Sequence, residues 1–147
     1  MPSANTEPLT PESIRAVAEE WYVALDRHIP LEETFPFLVD DGLEMRFPEG
    51  TSRGHAGFAE WYKAVTHRFF DEEHTVTKVE AVIEGDRATV QVLVNWQARI
   101  WDAPAAKSAW LGFDADQTWV VVAGADGPQI KTYIVNGLEP MPGSAAL

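Results

Sequence analysis

Ala88-Thr89-Val90-Gln91-Val92-Leu93-Val94-Asn95-Trp96-Gln97-Ala98-Arg99-Ile100-Trp101 is the longest stretch of this chain that alternates with a period of two. Ala88, Val90, Val92, Val94, Trp96, Ala98 and Ile100 fall on one side, and Thr89, Gln91, Leu93, Asn95, Gln97, Arg99 and Trp101 on the other. That is the pattern of a strand with one face on a core. A strand this long exceeds the usual five or six residues, so its sheet must twist and curl. Upstream, Thr75 to Ile83 reads as its partner, joined through Glu84-Gly85-Asp86-Arg87, with glycine where a tight hairpin needs positive φ. Downstream, Asp102 to Ser108 is a longer loop, Trp110 to Val122 is the next strand with Gly112 as a candidate bulge, Ala125 to Pro128 is a turn, and Gln129 to Asn136 is the last strand.

The N-terminal half has the other period. Thr10-Pro11-Glu12 has the form of a helix N-cap, first-turn proline and first-turn acid. Ile14, Val17, Ala18, Trp21, Leu25 and His28 then gather on one helical stripe, which predicts a helix to about Ile29, stopped by Pro30. Leu31 to Leu38 reads as a short helical piece interrupted by Pro36. Leu43, Met45 and Phe47 alternate with Glu44 and Arg46, so a short strand precedes the Pro48-Glu49-Gly50 turn, and a return strand lies near Thr51 to Gly54. Phe58, Trp61, Tyr62, Val65 and Phe69 share one face of a second long helix over His55 to Phe70. Helices first and sheet second is the order of an α+β domain. Met1 to Leu9 and the tail from Pro140 read as loose ends.

A length of 147 residues suits one domain, able to bury roughly two-thirds of its unfolded surface. With 46% hydrophobic residues, six Trp and seven Phe, the chain has enough apolar surface to fold unaided. Eleven Lys and Arg against 23 Asp and Glu give a net charge of -12, which opposes a nucleic acid backbone and an anionic membrane surface. No apolar run reaches the roughly 20 residues needed to span a bilayer. Without cysteine the chain has no disulfide, thiolate nucleophile or cysteine metal site. With no signal-like segment at its start, the expected location is cytoplasmic.

Trp21-Tyr22-Val23-Ala24-Leu25-Asp26, Val39-Asp40-Asp41-Gly42, Arg53-Gly54 leading into Gly57-Phe58, and His74 opening the strand that leads to Gly85-Asp86-Arg87-Ala88 together give the chain a specific look. Over about residues 10 to 138 it resembles the nuclear transport factor 2-like superfamily, and within it the SnoaL-like branch. The resemblance implies a cone-shaped, cystatin-like α+β fold. In it, a long N-terminal helix and further helices pack on a strongly curved antiparallel or mixed sheet. The concave face encloses a pocket and the convex face makes a homodimer. The whole of 1–147 is then one SnoaL-like domain. Members include isomerases, dehydratases, epoxide hydrolases and polyketide cyclases, as well as proteins that only bind or scaffold.

The resemblance also places Asp26 and His74 where scytalone dehydratase and SnoaL-like members carry an acid-base pair. A histidine oriented by a carboxylate moves a proton near neutral pH, as enolisation, dehydration and aldol cyclisation require. Against this stands a plain reading: Asp26 as a solvated acid at a helix end and His74 as a polar residue at a strand start. The acid that ketosteroid isomerising members carry on the first strand is missing, since Met45 to Phe47 are apolar apart from Arg46. Tyr133-Ile134-Val135-Asn136 likewise lacks the acid that epoxide hydrolysis by an Asp-Arg-Asp arrangement would need.

Tyr22, Trp61, Tyr62, Trp96, Trp119 and Tyr133 form an aromatic set that either walls an apolar pocket or simply fills the core. In the pocket reading Tyr22 and Tyr62 orient a ligand, and Trp61, Trp96 and Trp119 supply apolar walls. Asn95, Gln97 and Arg99 share the outward, dimer-forming face, and Gln117 and Trp119 on the neighbouring strand belong to either group. His28, His55, His67 and His74 lack metal-ligand spacing, and Glu72-Glu73-His74 reads as a solvated acidic cluster, so no metal site is expected. The sequence also has no glycine-rich phosphate loop, nucleophile elbow or dinucleotide fingerprint, so an enzyme of this kind would work without a cofactor. The expectation is a protein that binds a small hydrophobic, oxygenated compound, with lyase, cyclase or isomerase chemistry by Asp26 and His74. The competing expectation is a non-catalytic dimeric binding or scaffold domain whose cone is filled by its own aromatics.

Overall fold

A computed structural model describes residues 8–147. The predicted loose N-terminal segment lies outside the described residues except for its end, where Leu9 is buried against the core. The first helix, α1 (Pro11–Asp26), starts as its sequence requires: the Thr10 hydroxyl accepts from the Ser13 backbone N–H, and the Ser13 hydroxyl accepts from that of Thr10. It ends three residues before the predicted stop. His28 adopts φ 48, and the N–H groups of His28 and Ile29 turn back to the carbonyls of Leu25 and Ala24. This left-handed closure satisfies carbonyls that the helix end would otherwise leave orphaned. His28 therefore leaves the apolar stripe, and Asp26 becomes the last helical residue.

The predicted short piece divides into α2 (Leu31–Thr34) and a single 3-10 turn at Phe35–Phe37 that contains the proline. The first hairpin is β1 (Glu44–Phe47) with β2 (Gly50–Arg53), and the second long helix is α3 (Gly54–Arg68). The four long strands are β3 (Phe70–Glu84), β4 (Arg87–Ile100), β5 (Ala109–Gly124) and β6 (Gly127–Pro140). With the first hairpin they form a six-stranded sheet in the order β2-β1-β6-β5-β4-β3, antiparallel except for the parallel pair of β1 with β6. This is the expected α+β architecture, with the helices packed on one face of a curled mixed sheet. Trp21, Phe58, Met45 and Trp119, all fully buried, meet between the layers.

Three local expectations are corrected. β3 begins at Phe70, not Thr75: a bulge between Phe70 and Glu73, with Asp71 at φ 51, carries the ladder past an acidic run that hides the alternation. Gly112 is not a bulge, because β4 and β5 stay in register through the Gln97 and Gly112 pair. The glycine is needed for close approach instead: a Cβ there would stand 2.5 Å from the Trp110 ring and 2.8 Å from the Met141 sulfur. The C-terminal segment is tied down. Met141 N–H donates to the Gly112 carbonyl, Ala145 N–H to that of Trp110, and Gly112 N–H to the Ser144 hydroxyl. On the outer face, Asn95 donates to Asp114, Gln97 to Asn95, and Arg99 to Ser108.

Candidate active site

Curling of the sheet leaves a cavity of about 500 Å³ between its concave face, α3 and the C-terminal end of α1. Trp61, Tyr62 and Phe69 wall it from the helix side, Phe47 from β1, and Trp96, Val94, Ala115, Val135 and Leu138 from the sheet. Phe47 and Trp61 stack face to face at 4.1 Å, and the Trp61 indole N–H donates to Glu49 at the rim. Tyr62 donates its hydroxyl to the Ile29 carbonyl, which ties α3 to the chain leaving α1. The cavity is mostly apolar, with few polar groups turned inward.

His74 is one of those groups. Asp26, at the last position of α1, holds it at two points: Oδ2 accepts from the His74 backbone N–H at 2.9 Å, and Oδ1 bonds the ring Nδ1 at 2.5 Å. An ionised carboxylate only accepts, so Nδ1 carries the hydrogen and Nε2 is left as the acceptor of the neutral ring. The imidazole is also fixed in plane, with Tyr22 on one side at 4.6 Å and Trp96 at 6.2 Å, both nearly parallel to it. The side chains of Asp26 and His74 are 20% and 10% exposed, so Asp26 is not the solvated acid of the plain reading.

Behind the wall stands a polar group the sequence did not reveal. Tyr22 donates its hydroxyl to Gln117 Oε1 at 2.6 Å and lies 2.9 Å from the Tyr133 hydroxyl, and the Trp119 indole N–H donates to the same Gln117 oxygen at 2.9 Å. Burial, followed by the neighbouring Tyr133, pushes the Tyr22 hydroxyl well above the ordinary tyrosine range, and burial also raises Tyr133. Both phenols therefore stay protonated at neutral pH and serve as hydrogen-bond donors. Gln117 and Tyr133 reach the cavity surface; Tyr22 and Trp119 do not line it, and act one layer behind by holding them. Of the five expected ligand-contacting aromatics, Trp61, Tyr62 and Trp96 are in the wall.

No family model and no curated protein matches this sequence. Solved structures do. A candidate aromatic ring hydroxylase from Novosphingobium aromaticivorans matches with TM-score 0.76 at 14% identity, over 89% of this chain and 92% of that one. A candidate dehydratase of the nuclear transport factor 2-like family from Streptomyces avermitilis matches with TM-score 0.72 at 16% identity, over 89% and 95%. The fold is that of the nuclear transport factor 2-like superfamily. A hexachlorocyclohexane dehydrochlorinase from Novosphingobium barchaimii shares it with TM-score 0.73 at 15% identity, over 92% of each chain. Activities this different on one nuclear transport factor 2-like frame mean that the frame alone does not name a reaction.

In this cavity the sequence reading missed Glu72. Its side chain is only 8% exposed and lines the cavity, contrary to the reading of Glu72-Glu73-His74 as a solvated cluster. The signal was present, since Glu72, His74 and Val76 lie at alternate positions. It was overlooked because charged residues in a row look like a surface. His67, by contrast, is bonded to its own helix through the Lys63 carbonyl at an exposed position. Among the described residues no three His, Cys, Asp or Glu side chains converge as metal ligands, and no helix is long and apolar enough to cross a membrane.

Proposed function

We propose that residues 1–147 form one SnoaL-like domain that binds a small hydrophobic, oxygenated compound, and that Asp26 and His74 move a proton on it in cofactor-independent lyase, cyclase or isomerase chemistry. The observation that carries this reading is the orientation of His74 at the cavity wall, with Nδ1 held by Asp26 and Nε2 without a protein partner among the described residues. A base so placed takes a proton from carbon beside an electron-withdrawing group. His74 becomes an imidazolium stabilised by the Asp26 carboxylate, and returns the proton to the product or to water. Gln117 and Tyr133 supply polar contacts for the oxygenated end of the compound, while Trp61, Tyr62 and Trp96 hold its apolar body. The solved dehydratase and dehydrochlorinase neighbours lend support, since both names denote eliminations.

The open cavity favours this reading over a cone filled by its own aromatics. A thermal-shift screen of aromatic polyketide-like, steroid-like and terpenoid compounds tests it, because a ligand of the folded state raises the melting temperature by mass action. Binding at a hundred times Kd gives about 2.7 kcal/mol of added stability, a shift of several degrees. Uniformly flat melting curves favour the scaffold reading. The proposal includes a cytoplasmic location and a homodimer paired through the outer face of the sheet, where Asn95, Gln97 and Arg99 lie. Light scattering at micromolar concentration should then give twice the chain mass, and a monomeric mass counts against the dimer.

A further inference from the structure

Glu72 belongs to a second histidine and carboxylate pair on the wall that holds His74. Its Oε2 bonds His28 Nε2 at 2.5 Å, and its Oε1 accepts from the Trp96 indole N–H at 3.0 Å. Two features of the backbone hold this arrangement. The bulge at Asp71 turns Glu72 inward, and the left-handed closure of α1 turns His28 towards it. Asp71 and His28, at φ 51 and φ 48, are the only non-glycine residues with positive φ among the described residues. Such backbone is unfavourable for residues with a Cβ, and it concentrates at functional positions.

We propose that Glu72 is a second polar anchor of the cavity, which accepts a hydrogen bond from a hydroxyl carried by the ligand and so selects free alcohols and phenols over their ethers. A carboxylate offers about four lone-pair positions. His28 and Trp96 occupy two, and the remainder face a mostly apolar cavity, where an unmet acceptor is costly. Glu72 lies close enough to Tyr62 that, after burial, its charge is the second cause that raises the Tyr62 phenol above its ordinary range. The ligand group that fits is a neutral donor. Two N–H groups, from His28 and Trp96, already compensate the carboxylate, which disfavours an ammonium.

The two anchors share one wall. The Trp96 indole N–H is on Glu72 while its ring lies over His74. Glu72 and His74 are also two residues apart on one strand, about 7 Å by strand geometry. A rigid ligand therefore meets both, with its hydroxyl on Glu72 and an adjoining part of its body at His74. This assignment rests on the small-molecule reading of the cavity and not on turnover.

Matched probes test it: naphthol, estradiol and adamantanol, each beside its methyl ether, and adamantanamine as the cationic counterpart of adamantanol. Affinities are measured by thermal shift and titration calorimetry on the wild-type chain, Glu72→Gln and Glu72→Leu, with each variant's own melting curve as the folding control. On the wild type the hydroxyl member of at least one pair should bind about ten- to a hundredfold more tightly than its ether. Glu72→Leu should shrink that preference to under about threefold, with Glu72→Gln between, since the amide keeps one acceptor but no charge. Ethers that bind the wild type as tightly as their alcohols, a preference that survives in both variants, or tighter binding of adamantanamine than of adamantanol would each overturn the Glu72 assignment and leave the cavity reading standing. A wild-type chain indifferent to every probe overturns both.

Discussion

His74→Ala lowers turnover of any substrate processed in this cavity by about a hundred- to ten-thousandfold, the range a positioned general acid or base contributes. The alanine removes the Nε2 acceptor and leaves the Trp96 face open to solvent, while the walls formed by Trp61 and Tyr62 stay in place. Binding should thus weaken far less than kcat falls. Asp26→Asn is expected to cost a similar factor for a different reason. The carboxylate accepts at two points, from the His74 backbone N–H and from the ring Nδ1–H. An amide has a single accepting oxygen. If it serves the backbone N–H, its NH₂ faces Nδ1 and forces the hydrogen onto Nε2, where it blocks proton acceptance. The two variants are compared by steady-state kinetics on a compound identified by the ligand screen, with melting curves alongside. Full turnover in either one removes the dyad from the mechanism.

The second large effect is on stability. Trp119→Ala should destabilise the chain by about 3–5 kcal/mol, the usual cost of truncating a buried tryptophan, or about 10–20 °C in Tm. Trp119 is fully buried, stacks on Tyr133 at 5.2 Å and packs against Tyr22 at 5.9 Å. Its indole N–H is one of two donors on Gln117 Oε1. The alanine thus opens a void at the centre of the layered core and leaves the Gln117 carbonyl short of a donor. Trp119→Phe keeps most of the packing and should cost about 1–2 kcal/mol for the lost hydrogen bond and the smaller ring. Thermal and urea unfolding of both variants measure the difference. Equal losses for Ala and Phe would mean that packing against the tyrosines contributes little.

Much of the architecture was legible because most elements obey one period each. The alternation from Ala88 to Trp101 becomes β4 almost to the residue, and Thr10-Pro11-Glu12 opens α1 as its capping groups require. What could not be read were the places where the backbone leaves regular geometry. His28 was assigned to a helical stripe and instead closes the helix in the left-handed region, and the bulge at Asp71 lies in a run of acids with no apolar alternation to reveal it. Those two irregular positions are the ones that bring His28 and Glu72 together. Gln117 was equally hidden, since its position in β5 is compatible with either face until the sheet curls around it. Asp26 and His74 came from a resemblance of motifs, and their contact across 48 positions of sequence depends on α1 ending at Asp26.

The most direct test of the account is the ¹⁵N and ¹H spectrum of the neutral His74 imidazole, assigned by comparison with His74→Ala and recorded with and without a compound that raises Tm. The account predicts a hydrogen on Nδ1, shifted far downfield by its bond to the Asp26 carboxylate, an unprotonated Nε2, and movement of the Nε2 resonance when the compound binds. A hydrogen on Nε2, or an imidazole spectrum that bound ligand leaves unchanged, would contradict it.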